Sequence, residues 1–166
     1  MQIVQFYNDP VMFTKAENLY ATQNKRLKQL LPDADIQHVG STAIPGSLTK
    51  GDLDIQVRVT MEQFEQAVQL LSAQYVINEG SSQSEFFRAF KDDTTDPPLG
   101  IQLTVMGSEA DFFYKFREVL LMNETYKTKY DELKTKYEGH SMERYRDAKN
   151  DFFEWLMQTP EYNSII

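Results

Sequence analysis

The sequence predicts an α+β chain: a mixed sheet flanked by helices over residues 1–107, then a helical part over 108–166, the two packed as a single domain. Three observations predict it. Stretches at 35–39, 52–59 and 101–106 carry the apolar patterning of strands. Apolar residues at helical three- and four-residue steps lie between and after them. From Ser108 to about Thr159 there is no proline, and Gly139 is the only glycine, so helix breakers all but vanish from the last third.

A chain of 166 residues is of ordinary size for one domain. Its 41% hydrophobic content, with 11 Phe and 9 Tyr, supplies a packed interior and excludes disorder over most of the length. Asp9 to Leu31 reads as the first helix. Asp9 is placed to cap it, Pro10 suits the first helical position, and Phe13, Ala16, Leu19, Tyr20, Leu27, Leu30 and Leu31 recur at helical steps until Pro32-Asp33. Asp35 to Val39 alternates and reads as a strand. Gly40 to Gly51, rich in Gly, Ser, Thr and Pro, reads as a loop with room for one short helical turn. Asp52 to Val59 alternates again: Leu53, Ile55, Val57 and Val59 on one face, Asp52, Asp54, Gln56 and Arg58 on the other. Thr60 and Gln63 form a capping box ahead of a helix with the stripe Phe64, Ala67, Val68 and Leu71. Tyr75 to Asn78, Glu85 to Lys91 and Ile101 to Met106 read as further strands, with a Pro-Pro loop from Asp92 to Gly100. Beyond Ser108, a first helical pattern runs through Phe112, Phe113, Phe116, Val119 and Leu120, an aromatic stripe that reads as core. A second runs through Tyr126, Tyr130 and Leu133, and a third through Tyr145, Ala148, Phe152, Trp155 and Leu156. Glu124 to Lys136 mixes both charges and reads as an exposed helix face.

Several function classes are excluded. There is no cysteine, hence no disulfide framework, thiolate zinc site or cysteine nucleophile. A net charge of −8 disfavours bulk binding of nucleic acid, because an acidic surface repels a phosphate backbone. The first residues carry no basic, apolar leader, and no stretch approaches the roughly 20 apolar residues of a membrane span. The expectation is a cytoplasmic protein with no membrane partner. Oligomeric state leaves no signal in the sequence.

The chemistry concentrates in Gly40-Ser41 followed by Asp52-Leu53-Asp54. Residues two apart on a strand share a face, so Asp52 and Asp54 present two carboxylates together. Like charges repel, and a divalent metal relieves the repulsion. Magnesium binds through one or two carboxylates plus substrate phosphates. In the turn, Gly40 lets the backbone approach a phosphate, exposed N–H groups form an anion-binding concavity, Ser41 and Thr42 add hydroxyls, and Lys50 adds a point charge. This combination suits nucleotidyl transfer, in-line attack on an α-phosphate. The plain alternative is a solvated strand edge.

The run His38-Val39-Gly40-Ser41-Thr42-Ala43-Ile44-Pro45-Gly46, then Lys50, then Leu53-Asp54-Ile55, resembles the signature of the GrpB family. The resemblance continues in Phe116-Arg117 through Tyr130-Leu133-Lys134 and in Tyr145-Arg146-Asp147-Ala148-Lys149 before Phe152, and so covers most of the chain. It implies the nucleotidyltransferase fold, with Gly40, Ser41 and Asp54 at the active-site position. It also marks Tyr145 and Lys149, four apart on one helix face, as cleft residues; their pattern alone reads Tyr145 as core and Lys149 as solvated. Two departures stand out. Enzymes of this fold usually carry a third carboxylate on a later strand, and GrpB-like chains tend to have histidine there, but Gln102 and Thr104 occupy that strand here. Neither takes a proton at neutral pH. Conversely, Asp52 stands where many GrpB-like chains have an apolar residue, which brings the pattern closer to the general nucleotidyltransferase pair.

The leading expectation is therefore a magnesium-dependent nucleotidyltransferase that moves a nucleoside monophosphate from a nucleoside triphosphate to an unknown acceptor. Asp52 and Asp54 are its catalytic and metal-binding pair. Gly40, Ser41, Thr42, Lys50, His38, Arg88, Tyr145 and Lys149 are its substrate-binding set. His38 reads either as a base or phosphate contact or as a ring bonded to its own loop, and Arg88 either as an anion contact or as a surface ion pair. His140 reads as a surface residue. A non-catalytic nucleotide- or phosphometabolite-binding protein, and a partner-binding protein that retains the fold, are the alternatives.

Overall fold

The computed structural model describes residues 2–165. Five strands form one mixed sheet: β1 (Asp35–Val39), β2 (Leu53–Val59), β3 (Val76–Ile77), β4 (Phe87–Asp92) and β5 (Leu99–Val105), in the spatial order β1-β2-β5-β4-β3. The central pair, β2 and β5, is parallel, and every other neighbouring pair is antiparallel. Helix α1 (Pro10–Leu30) precedes the sheet, and α2 (Phe64–Ser72) lies in the crossover from β2. Helices α3 (Phe113–Met122), α4 (Glu124–Tyr137), α5 (Met142–Leu156) and α6 (Pro160–Ser164) follow it.

Local chemistry sets the helix starts. The Asp9 carboxylate accepts from the Val11 amide at 3.0 Å, with Pro10 in the first turn. The Thr60–Gln63 capping box closes, but on a 3-10 turn, Met61–Gln63, that leads into α2. Asn123 caps α4 and Ser141 caps α5. No helix among the described residues is long and apolar enough to cross a membrane.

The two sheet faces differ in kind. Leu53, Ile55, Val57 and Val59 of β2, with Ile101, Leu103 and Val105 of β5, pack against Ala16 and Leu27 of α1 and against Phe64, Ala67 and Leu71 of α2. The opposite face of β2 divides: Asp54 opens towards a cleft, while Gln56 and Arg58 meet the start of α3 and the turn before it. Gln56 is fully buried. Its amide donates to Thr104 Oγ1 and Asp111 Oδ1, both at 2.9 Å, and its carbonyl accepts from the Tyr114 amide at 3.0 Å. Arg58 donates to both Asp111 oxygens at 2.7 Å and to Asp35 at 2.6 Å. A polar layer therefore joins the sheet to the C-terminal helices. Those helices have their own core of Phe116, Val119, Leu120, Tyr130 and Leu156, into which Ile44 of the 40–51 loop inserts.

One expectation is corrected here. The mixed-charge stretch of α4 is not wholly exposed: Tyr130 and Lys134 are buried. Residues 2–7, which carry no pattern, act as a tie. The Val4 amide bonds to His140 O at 3.1 Å, and Tyr7 and Thr49 exchange backbone bonds of 2.8 and 3.0 Å.

Candidate functional site

The loop between β1 and β2 begins at Gly40, whose φ of 77° and ψ of −175° lie in a region that essentially only glycine occupies. A 3-10 turn, Ser41–Ala43, follows. The loop is braced from within: Ser41 Oγ lies 2.7 Å from Thr49 Oγ1, which accepts from the Gly51 amide at 2.9 Å. Thr42 Oγ1 donates to the Asp52 carbonyl at 3.1 Å. It is also braced from α4. Asp131 accepts from Ser47 Oγ at 2.6 Å and from the Leu48 amide at 3.1 Å. Lys134 Nζ donates to Leu48 O at 2.6 Å and to Ser47 Oγ at 3.1 Å, with the Tyr130 ring 3.7 Å away. Burial pushes the Lys134 ammonium down to about 7.

Asp54 stands near the start of β2, between Val39 of β1 and Gly100 of β5. Two glycines make room for its carboxylate. A methyl group at Gly40 would overlap Oδ2, and one at Gly100 would come within 3.0 Å of Oδ1. Burial pushes Asp54 up to about 6; Lys149 opposes that shift, Asp52 adds to it, and Lys50 and the Gln102 amide oppose it. Asp52 lies just outside the strand, with Lys50 Nζ 3.9 Å from its carboxylate. These groups open onto a cleft of about 560 Å³, closed on the other side by Arg117, Tyr130, Lys134, Tyr145 and Lys149. Lys50, Arg117 and Lys149 line that cleft beside Asp52, Asp54 and Glu154, so cations and carboxylates are balanced there within a chain of net charge −8. That balance opposes an anionic ligand less than the rest of the acidic surface does.

Two groups near the loop titrate in opposition. His38 is held near 4 by burial and by the Arg117 charge, so the fold favours its neutral ring. Its contribution to stability is present above its ordinary value of 6.5 and is lost as pH falls towards 4. Asp54 is raised, so its contribution is present below 3.8 and is lost as pH rises through about 6. The two slopes oppose each other between about 4 and 6. Asp54→Asn is expected to unmask the histidine: melting temperature should fall more steeply on acidification across that window than in the unaltered protein. Equal slopes in melting curves at stepped pH would show that Asp54 is not held protonated by burial.

The family model for the GrpB protein matches residues 14–159. The chain belongs to the GrpB family. It is 35% identical to the UPF0157 protein of Vibrio cholerae over 154 residues, covering 93% of this chain and 82% of that one. It superposes on the crystal structure of GrpB from Enterococcus faecalis with a TM-score of 0.64 at 18% identity, covering 98% of this chain and 96% of that one. The Cid1 poly(U) polymerase, crystallised with MgGTP, gives a TM-score of 0.51 at 13% identity over 74% of this chain and 41% of its own. At such identity the likeness is one of fold, and the fold is nucleotidyltransferase-like.

In this GrpB chain, seven of the residues singled out from sequence share the cleft: Gly40, Ser41, Lys50, Asp52, Asp54, Tyr145 and Lys149. Lys149 is a cleft residue rather than a solvated one. Thr42, His38 and Arg88 of the substrate-binding set stand elsewhere. His38 pairs with Ile55 in register, which turns it to the apolar face, where it stacks on Tyr20 with ring centroids 5.0 Å apart. Its Nε2 lies 3.0 Å from Thr42 Oγ1, so ring and hydroxyl brace the loop instead of lining the cleft. Arg88 pairs with Leu103, faces the same way, and lies 5.8 Å from the Phe64 ring of α2. Gln102 of β5 does line the cleft, and its Oε1 is buried without a hydrogen-bond partner among the described residues. Thr104 is buried beneath Gln56. Sequence reasoning gave no role to the Asp131–Lys134 brace. The available signal was Lys134 four residues after Tyr130, on the face that α4 buries.

No group of three or more His, Asp or Glu side chains that could hold a metal gathers among the described residues. Magnesium needs less: one or two carboxylates, waters and the phosphates of its ligand. Asp52 and Asp54 would supply those carboxylates; the Gln102 group that faces Asp54 is its amide N–H, not its oxygen. The donor set fits a magnesium–phosphate complex.

Proposed function

We propose that this protein is a metal-dependent nucleotidyltransferase acting on a small acceptor. One observation carries the reading: Asp52, Asp54, the Gly40-Ser41 turn, Lys50 and Lys149 all border one cleft of about 560 Å³. That volume suits a single small ligand. Asp52 and Asp54 would hold magnesium, which supplies charge stabilisation at the attacking and leaving oxygens. The chain's own groups do the rest. The Gly40-Ser41 turn offers backbone N–H groups and a hydroxyl to the phosphates, and Lys50 and Lys149 flank them with positive charge. The Tyr145 and Tyr130 hydroxyls, 3.5 Å apart and buried, close the floor against water. In the reaction an acceptor hydroxyl oxygen bonds to the α-phosphorus, its proton passes to solvent water, the bond from the α-phosphorus to the α,β-bridging oxygen breaks, and pyrophosphate leaves.

One observation favours the second reading, a nucleotide-binding protein without catalysis. Gln102 occupies the β5 position where a third carboxylate would serve as base, and an amide takes no proton. A panel of nucleoside triphosphates with and without magnesium, followed by thermal unfolding, tests what the readings share. A ligand at about 100 times its dissociation constant is expected to stabilise the fold by roughly 2.7 kcal/mol. The Asp52→Asn/Asp54→Asn variant is expected to lose that gain. Absence of any shift with any nucleotide would defeat both readings. Pyrophosphate release on adding candidate acceptors then separates transferase from binding protein.

A further inference from the structure

The cleft has a second half that phosphates and magnesium do not use. On α3 and the turn before it, Phe112 and Phe116 lie 5.1 Å apart between ring centroids, and Phe153 of α5 lies 4.3 Å from Phe116. All three border the cleft, and Phe112 and Phe153 are only partly buried. The rings thus form a continuous apolar wall open to the same space as the carboxylates. Lys149 joins the halves. Its charge acts on Asp54, and its ammonium lies 6.0 Å from the Phe153 ring, one helical turn along α5. An anionic group held at Lys149 therefore has its neighbouring atoms over or beside Phe153. Arg117, the strongest polar group near the wall, is committed to Gln37, the His38 carbonyl and Glu118. The wall is left with ring faces and few free donors.

Resting on the nucleotide reading above, we propose that Phe112, Phe116 and Phe153 form a stacking wall for the base of the bound nucleotide. The base is held by its π-face rather than by its hydrogen-bonding edge. Such contacts are tolerant of sequence because every base has a π-face, and they favour the larger purines. Binding should consequently span several nucleotides, ordered purine above pyrimidine.

The discriminating comparison is calorimetric titration of the full chain, in magnesium, with ATP, UTP and inorganic tripolyphosphate. Tripolyphosphate carries the phosphates without base or sugar, and its charge is no smaller, so electrostatics alone would rank it at least equal to ATP. The expected result is ATP about tenfold or more tighter than tripolyphosphate, with UTP between them. Phe153→Leu keeps an apolar side chain and removes the ring. It should bring ATP to within about threefold of tripolyphosphate while leaving tripolyphosphate unchanged. ATP and tripolyphosphate binding equally to the unaltered protein would overturn the stacking wall while leaving the phosphate site standing. Failure of all three to bind would overturn the underlying nucleotide reading as well. The comparison on the unaltered protein decides the matter even if Phe153→Leu folds poorly.

Discussion

Replacing Arg58 by methionine is expected to cost about 3–5 kcal/mol of folding stability, the usual penalty for removing one partner of a buried ion pair. The guanidinium is the centre of the polar layer. It donates to both Asp111 oxygens and to Asp35, and the Tyr114 ring lies 4.2 Å from it. The Asp111 side chain is only 3% exposed, so without Arg58 its charge stays buried with the Gly107 amide and the Gln56 amide as its remaining donors. The layer spans the seam between β2 and the C-terminal helices, so its loss should be felt across the whole chain. Denaturant unfolding should show a lower midpoint with an unchanged slope. The double variant Arg58→Met/Asp111→Leu removes charge and countercharge together, and should recover at least about 1 kcal/mol relative to the sum of the single changes. A cost for Arg58→Met below about 1 kcal/mol would mean that water, rather than the arginine, satisfies Asp111.

Much of the fold was legible because its determinants are local. Asp9 and Pro10 start α1, and the alternation of residues 35–39 and 52–59 describes β1 and β2 within a residue at each end. What failed depends on partners distant in sequence. β5 begins at Leu99, earlier than its pattern implies, because parallel pairing with β2 draws Gly100 into the ladder opposite Asp54. In isolation that glycine reads as belonging to the Pro-Pro loop. β3 shrinks to two residues because it is an edge strand paired only to β4. The site divides the same way. The carboxylate pair and the glycine turn could be read because they lie within fifteen residues, 40–54, of one another. Lys134 offered only its spacing from Tyr130, since its burial is fixed by Leu48 and Ser47, more than eighty positions earlier, and among its charged neighbours it looks solvated. His38 could be read either way from its own loop. Its facing Ile55 in register settles which side of the sheet it occupies.

Gly40→Ala is expected to cost at least about 2 kcal/mol and to abolish magnesium-dependent nucleotide stabilisation, two effects with one cause. The backbone at residue 40 is held at φ 77° and ψ −175°, where a Cβ is strained whatever surrounds it. Here the new methyl also meets the Asp54 carboxylate. Either the turn opens or Asp54 moves, and each outcome separates the anion-binding turn from the carboxylate it serves. Gly46→Ala provides the comparison. Its φ of +79° is also positive, but an added Cβ there meets only the flexible end of Lys127, at 3.3 Å. Gly46→Ala should therefore lower stability through the backbone alone and leave nucleotide binding within about threefold of the original. In an Asp54→Ala background, Gly40→Ala should cost less than in the unaltered chain, because the carboxylate it crowds is gone. Equal costs in both backgrounds would reduce Gly40 to a turn residue. A smaller cost beside Asp54→Ala would show that the glycine is required by the close approach of turn and carboxylate.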